Sequence, residues 1–300
     1  MAKRRTYEFA DDDFLARLER LHLAAKRLAA RGHPGPRRSR RLGDGLEFAD
    51  HRGYFPGDDV RFIDWPYYAR MERLLLRLFH EHSEADVLLL LDASASMSPA
   101  GDRAKFDYAR RAAAALAYVA MGSLERVIVQ PFADGLREPM RSGRDRAQAP
   151  AALKFLDGLV PAGRTALGEC VNLLCRQRRG GGTCIIVSDL MDVGDELSEA
   201  LARLADVRWE TTVIHVYAPA DAEPALAGPV LLQHAETGER MSVHATEELR
   251  EGYRRRFEAF LRGCERACVS RGAAYAAAPT DVPFEQLVLT TLRRAGVIAG

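Results

Sequence analysis

Three hundred residues, 47% of them hydrophobic and 28% charged, make an ordinary globular composition with enough chain to bury a large core in one domain or two. A formal net charge of +1 argues against a surface built wholly for nucleic acid, and no run of about 18 apolar residues is present to span a bilayer. Five cysteines, an odd number, fit a reducing compartment; with no apolar stretch of signal-peptide length after Met1-Ala2-Lys3-Arg4-Arg5, a cytoplasmic location is expected.

Phe14, Leu15, Leu18, Leu21 and Leu23 recur at helical spacing and predict a helix over 11–31, ended by Gly32 and Pro34, within an N-terminal helical segment 1–35. Residues 36–86 are dense in turn formers and aromatics. Gly43-Asp44-Gly45, Pro56-Gly57-Asp58-Asp59 and Trp65-Pro66 separate short apolar pieces there, as in a compact β-containing module. Its last stretch, 73–79, fits helix or strand and is read as a strand feeding the module into the sheet that follows. From residue 87 strands and helices alternate. Strands are expected at 87–91, 126–132, near 136–140, at 183–188 and at 211–217; helices fall at 102–121, 147–159, 166–178 and 195–205. Such alternation predicts right-handed crossovers and an α/β fold, a doubly wound and mostly parallel sheet with helices on both faces, over 87–300. Residues 229–243 read as an inserted hairpin turning at Thr237-Gly238. A helix over about 246–271, a short strand near 273–277 and a helix from Phe284 complete the chain.

The most informative local pattern is Asp92-Ala93-Ser94-Ala95-Ser96, directly after the apolar run Val87-Leu88-Leu89-Leu90-Leu91. In an open α/β sheet, ligands gather beyond the carboxyl ends of the strands. One carboxylate and two hydroxyls leaving such an end at alternate positions are hard oxygen ligands suited to Mg²⁺, or to another divalent cation such as Mn²⁺. Thr165, in Gly163-Arg164-Thr165-Ala166-Leu167, puts a hydroxyl at the mouth of a helix; Asp189 ends the strand Cys184-Ile185-Ile186-Val187-Ser188. The plainer reading of the same loop is a set of Asx and Ser turns capping the next helix. Ser98 and Asp192 lie close by and read as loop solvation.

The order Asp-x-Ser-x-Ser, then Thr, then Asp at a strand end resembles the metal-ion-dependent adhesion site of von Willebrand factor A domains. The resemblance implies that Ser94, Ser96 and Thr165 touch the metal, while Asp92 and Asp189 bind it directly or through water. A Glu or Asp of a partner protein then completes the octahedron at about 2.0–2.1 Å. Upstream, Glu47-Phe48-Ala49-Asp50-His51-Arg52-Gly53-Tyr54, Pro56-Gly57-Asp58-Asp59-Val60-Arg61-Phe62-Ile63-Asp64-Trp65 and Ala69-Arg70 resemble the signature of domain-of-unknown-function family fifty-eight. Those bacterial proteins join such a module to a von Willebrand A-like domain. The chain departs from the pattern at Gly53, where the family usually has an acid, and at Pro66-Tyr67-Tyr68; Glu236-Thr237-Gly238-Glu239 resembles the family's hairpin. The resemblance also implies a MoxR-type AAA+ ATPase as partner, in chaperone-like maturation or regulation of clients.

The function expected is therefore a non-enzymatic, Mg²⁺-dependent adaptor for protein–protein interaction. Gly180-Gly181-Gly182-Thr183 precedes a strand and lacks the lysine of a phosphate-binding loop, so ATP hydrolysis belongs to a partner. Two alternatives stay open. A metal-dependent phosphohydrolase would start from an Asp after a buried strand, although Ser94 stands where such enzymes generally need a second carboxylate. A nucleic-acid-binding protein would use Arg37-Arg38-Ser39-Arg40-Arg41, a short run without interleaved aromatics. Arg52, Arg61 and Arg70 among Asp50, Asp58, Asp59 and Asp64 read as ion pairs locking the module onto the sheet, or else as a binding face. His80 and His82 lack a third zinc ligand, His215 reads as a satisfied core residue, and Cys264 and Cys268 read as buried small hydrophobes on the stripe of Leu249, Tyr253, Phe257, Phe260 and Leu261.

Overall fold

Two units make up the chain, residues 1–32 with 85–300 and residues 33–84. The computed structural model describes residues 7–11, 13–31, 42–43, 47–55, 58–80, 86–99, 104–123, 125–141, 146–178, 181–191 and 193–294. The basic run 37–41, His82 and Asp192, as well as the side chains of Asp50 and His80, lie outside the described residues.

In chain order, α1 (Phe14–Arg31) precedes the smaller unit, which holds β1 (Leu42–Gly43), β2 (Glu47–Gly53), α2 (Trp65–Met71) and β3 (Leu75–His80). The larger unit continues with β4 (Asp86–Asp92), α3 (Ala104–Gly122), β5 (Arg126–Phe132), β6 (Met140–Arg141), α4 (Ala149–Asp157), α5 (Leu167–Gln177) and β7 (Gly182–Ser188). Next come α6 (Glu196–Asp206), β8 (Trp209–Tyr217), the short α7 (Pro219–Ala222), β9 (Gly228–Gln233) and β10 (Arg240–Ala245). The long α8 (Glu247–Ser270), β11 (Ala274–Pro279) and α9 (Phe284–Arg294) close the chain.

The six-stranded sheet of the larger unit runs β11-β8-β7-β4-β5-β6, parallel throughout except for β6, which pairs antiparallel with β5. This is the expected α/β architecture, a mostly parallel sheet with helices on both faces. β4 is the first strand and lies in the middle: the chain moves from it to β5 on one side, then returns to β7 on the other. The switch point therefore opens at the carboxyl ends of β4 and β7, where Asp92 and Asp189 stand.

Alternate residues of β4 serve opposite faces, as the two-residue period of a strand requires. Leu89 and Leu91 pack with Phe106 and Leu116 of α3, Leu153 of α4 and Leu292 of α9. Leu88 and Leu90 pack with Val171 and Leu174 of α5, Leu201 and Leu204 of α6 and Cys268 of α8. Each such fully buried aliphatic side chain stabilises the fold by about 1.5–3 kcal/mol relative to exposure. The helix α1, read from sequence as a segment apart, belongs to the first of these faces, where the Phe14 ring meets that of Phe284 at 5.5 Å between centroids. Arg110 is fully buried in the same layer. Its guanidinium lies 5.0 Å from the centroids of both Phe9 and Phe106 and donates to the carbonyls of Leu156 and Asp157.

The stripe expected along α8 is buried only from Phe257 on, through Cys264 and Cys268; Leu249 and Tyr253 remain exposed. β9 and β10 form the expected hairpin, in which Gly238 takes φ +74°, a left-handed conformation that glycine adopts at no steric cost.

In the smaller unit β3 lies between β1 and β2 in a three-stranded antiparallel sheet, so 73–79 supplies a strand to the module's own sheet rather than to the larger one. Asp64 caps α2 by accepting from the Tyr67 amide at 3.0 Å, and its other oxygen pairs with His51 at 2.8 Å. Arg52 grips Asp58 with two bonds of 2.7 Å, and Arg61 pairs with Asp59 two residues before it. Arg70 donates instead to the Pro66 carbonyl. These arginine pairs staple local turns. Trp65 is exposed.

Candidate metal and protein-interaction site

Burial of β4 on both faces forces its polar continuation to find partners at the strand end. The Ala93 amide extends the ladder to the Phe132 carbonyl at 2.8 Å, after which the chain turns sharply. Asp92 organises that turn: its Oδ1 accepts from the Ser94 amide at 2.9 Å, an Asx turn leading into one 3₁₀ turn, Ala95–Met97. Ser94 Oγ and Ser96 Oγ are 3.0 Å apart, and Ser96 Oγ donates to Asp189 Oδ1 at 3.2 Å. Ser188 Oγ donates to Asp92 Oδ2 at 2.5 Å, tying the end of β7 back to that of β4. The Asx turn of the plainer reading is present at Asp92, although no side chain caps the 3₁₀ turn that follows, and the hydroxyls of Ser94 and Ser96 lie within hydrogen-bond distance of each other and, through Ser96, of Asp189. Ser98 ends the 3₁₀ turn through a backbone bond to Ala95.

Asp189 is fully buried. Its Oδ1 also accepts from the Met191 amide at 3.1 Å, and Leu190 between them has φ +53°, a strained conformation for a branched side chain that swings the backbone over the carboxylate. Its Oδ2 meets Lys105 Nζ at 2.9 Å; the same ammonium reaches Asp221 at 3.2 Å. Burial alone pulls Lys105 down, but Asp189 and Asp221 outweigh it and hold the ammonium charged. Asp92 has no such cation among the described residues. Burial, and then the nearby Asp189 carboxylate, push its carboxyl up to about 7.

Thr165 stands on the neighbouring loop. That loop is bound to the first by Ala95 N–H to Gly163 O at 3.0 Å and by Ala162 N–H to Ala93 O at 2.8 Å. Arg137 clamps both, donating to the carbonyls of Ala93 and Ala162 at 3.0 and 2.6 Å. The hydrogen bonds of Thr165 itself go to Glu236 in the hairpin turn: Oγ1 donates to Oε1 at 2.7 Å, and the amide to both carboxylate oxygens at 3.2 Å. The structure thus joins Asp92, Ser94, Ser96 and Asp189 in one network and sets Thr165 on the adjoining loop with a carboxylate already on it.

Lys105, Ser188, Arg137 and Glu236 were not among the site residues read from sequence. Ser188 carried a signal, being a hydroxyl immediately before the strand-end Asp189. Lys105 and Glu236 carried none, since each meets its partner across 84 or 71 residues.

A small hard cation fits this donor set. Asp92, Asp189 and Asp221 set three carboxylates against the one ammonium of Lys105, which leaves the cluster short of positive charge. Two serine hydroxyls converge there with Asp189 Oδ1, the oxygen that Lys105 does not hold. Among the described residues no group of three or more His, Cys, Asp or Glu gathers for a metal, so a cation here depends on hydroxyl oxygens. Nucleophilic chemistry is poorly served: Asp92 is fully buried with both carboxylate oxygens engaged. His215 is fully buried and pairs through Nδ1 with the Tyr275 hydroxyl at 2.9 Å. Cys264 and Cys268 are buried free thiols that burial pushes up, so they pack as small hydrophobes.

The family described as "Protein of unknown function DUF58" matches residues 50–260. An uncharacterised protein of Mycobacterium tuberculosis (strain ATCC 25618 / H37Rv) is 30% identical over 264 residues, 86% of this chain and 83% of its own length. A shorter uncharacterised protein of Mycobacterium avium is 29% identical over 167 residues, 55% of this chain and 98% of its own. Among solved structures, BatB from Bacteroides thetaiotaomicron aligns with TM-score 0.44 and 16% identity, covering 71% of this chain and 99% of that one. The von Willebrand A domain of SpRpn10 aligns with TM-score 0.36 and 11% identity, covering 68% and 93%. Among the described residues no helix is long and apolar enough to cross a membrane.

Proposed function

The chain belongs to the DUF58 family, and from that premise we propose that it is a non-enzymatic adaptor that grips acidic side chains of partner proteins through Mg²⁺ or Mn²⁺. Asp92, Ser94, Ser96, Thr165 and Asp189 would hold the ion, Asp189 through the oxygen that faces Ser96 because its other oxygen belongs to Lys105. Bound there, the ion supplies a hard, electrophilic centre for the oxygen of a partner Glu or Asp. The chain's own residues do the positioning. The Asp92 turn presents the two serines, Ser188 anchors Asp92, and Arg137 keeps the Thr165 loop beside them.

One observation carries this reading: the oxygens of Asp92, Ser94, Ser96 and Asp189 meet at the switch point of a parallel sheet in a cluster short of positive charge. The proposed partners are a MoxR-type AAA+ ATPase, which would supply the ATP hydrolysis, and its client proteins, with a reducing cytoplasm as the compartment. Titration with Mn²⁺ followed by electron paramagnetic resonance tests the first step. One ion should bind to the wild-type chain and none to Ser96→Ala. Co-purification of the ATPase should then fall in chelator and in Asp92→Asn; a chain that takes up no divalent ion overturns the reading.

A further inference from the structure

From residue 231 to 242 every residue of the hairpin is exposed except Glu236, which is half-buried. Nothing between 228 and 244 reaches the core, and Leu231 and Met241 lie open to solvent. At its tip the half-buried Glu236 reaches back to the larger unit's Thr165. That tip is preorganised: Gly238 supplies the left-handed turn, and His234 Nδ1 accepts from the amides of Glu236 and Thr237, each at 3.2 Å. The Glu236 carboxylate so presented receives the amide and the hydroxyl of Thr165 together. Two donors converging on one carboxylate, just before the N-terminus of α5, make a receptor for an anion, because unpaired amides and the helix dipole both favour negative charge there.

We propose that Glu236 is the site's own ligand, a plug that fills in cis the carboxylate position a partner's Asp or Glu takes in trans. This deepens the adaptor reading and rests on it for the identity of the incoming group. Tethered carboxylate and free carboxylate compete for the same two donors. The hairpin, with so little apolar contact of its own, swings aside when a partner binds. The resting chain is thereby kept from gripping any exposed acid it meets.

Acetate serves as the probe, titrated at constant ionic strength against chloride into the full chain, with and without Mg²⁺. The Thr165 amide is followed by nitrogen-15 NMR, and hairpin amides by hydrogen exchange. In Glu236→Ala the Thr165 amide should shift saturably at about one-tenth of the acetate concentration the wild type needs, since the tethered competitor is gone. Glu236→Gln, neutral but of the same size, should fall between; Glu239→Ala, altered at an exposed neighbour in the same turn, should match wild type. Amides of 229–233 and 240–244 should exchange faster in both Glu236 variants. Equal acetate response in wild type and Glu236→Ala, or unchanged hairpin exchange, overturns the plug. Failure of the metal reading looks different: no variant takes up Mn²⁺, while the Glu236 effects persist in chelator.

Discussion

Asp189 and Asp58 each face a basic side chain at close range, 2.9 Å from Lys105 and 2.7 Å from Arg52. Lys105 and Asp189 are only 5% and 0% exposed, whereas Arg52 and Asp58 are 42% and 21% exposed. Chemistry and distance match, and environment separates them. A buried pair must repay the removal of two charges from water, so it adds little stability yet is costly to break. An exposed pair competes with water and salt throughout and is worth little either way. Function follows the same division. In the larger unit the pair sits beside Asp221 and the serine hydroxyls, in the cluster proposed to bind a cation. In the smaller unit Arg52 with Asp58 and Arg61 with Asp59 pair within a few residues and shape turns.

The largest effect is expected where that contrast is cut at its buried end. Lys105→Met leaves Asp189 and Asp221 without their ammonium and should cost about 3–5 kcal/mol, read from the urea unfolding midpoint. Saturating Mg²⁺ should raise the midpoint of this variant more than that of wild type, because the ion then meets an unopposed Asp189. An equal rise in both would show that Lys105 and the ion act on separate charges. Next in size is Asp92. Asp92→Ala strands the Ser94 amide and the Ser188 hydroxyl in a dry interior, at about 1–3 kcal/mol for each unpaired group. Asp92→Asn keeps the shape, and should unfold close to wild type in chelator while taking up no Mn²⁺. The two substitutions thus separate the turn-forming role of Asp92 from its charge.

How far these features were legible in the chain depends on the distance over which each is determined. The Asx turn and the serine spacing lie within five residues, and the run Val87-Leu88-Leu89-Leu90-Leu91 marks a strand buried on both faces. Asp189 was visible because a second such run delivers it. Lys105 reads as one of four charges, with Asp107, Arg110 and Arg111, in the first half of an alanine-rich helix; only the crossover from β4 through α3 aims it at the end of β7. The periodicity of α1 revealed an apolar face but not that Phe284 covers it. Residues 73–79 were ambiguous because Leu74, Leu75, Leu76 and Leu78 satisfy both periods; the antiparallel register between β1 and β2 decides the matter. Glu236 reads in the sequence as part of a turn, and its ligand-like contact depends on where a hairpin far along the chain comes to rest.

A smaller effect is expected in the loop that carries Thr165. Gly163 has φ +83°, and a Cβ there would stand 3.1 Å from the Asp134 carboxyl carbon. Gly163→Ala should therefore lower stability by about 1–3 kcal/mol through strain at a left-handed position. It should also weaken the protection of the Ala95 amide, whose acceptor is the Gly163 carbonyl, in hydrogen exchange. Unchanged Ala95 protection would mean that the Ala162 amide and Arg137 hold the two loops together whatever the strain at Gly163.

The smallest effect belongs to Arg52 and Asp58, and pH is the way to see it. The Arg52 guanidinium, helped by the Phe55 amide, holds the Asp58 carboxyl down at about 2 against an ordinary 3.8. A depressed carboxylate stabilises the fold while it is ionised in both states, hence fully above pH 3.8, and that contribution fades as pH falls through about 2. Asp58→Asn should accordingly lie closest to wild type at the acid end, diverge slightly as pH rises from about 2 to 3.8, and keep a constant gap above that. Salt should shrink the difference, since the pair is partly open to solvent. The same titration on Lys105→Met should give a gap that salt scarcely touches, because the charges it exposes to one another lie where counter-ions do not reach.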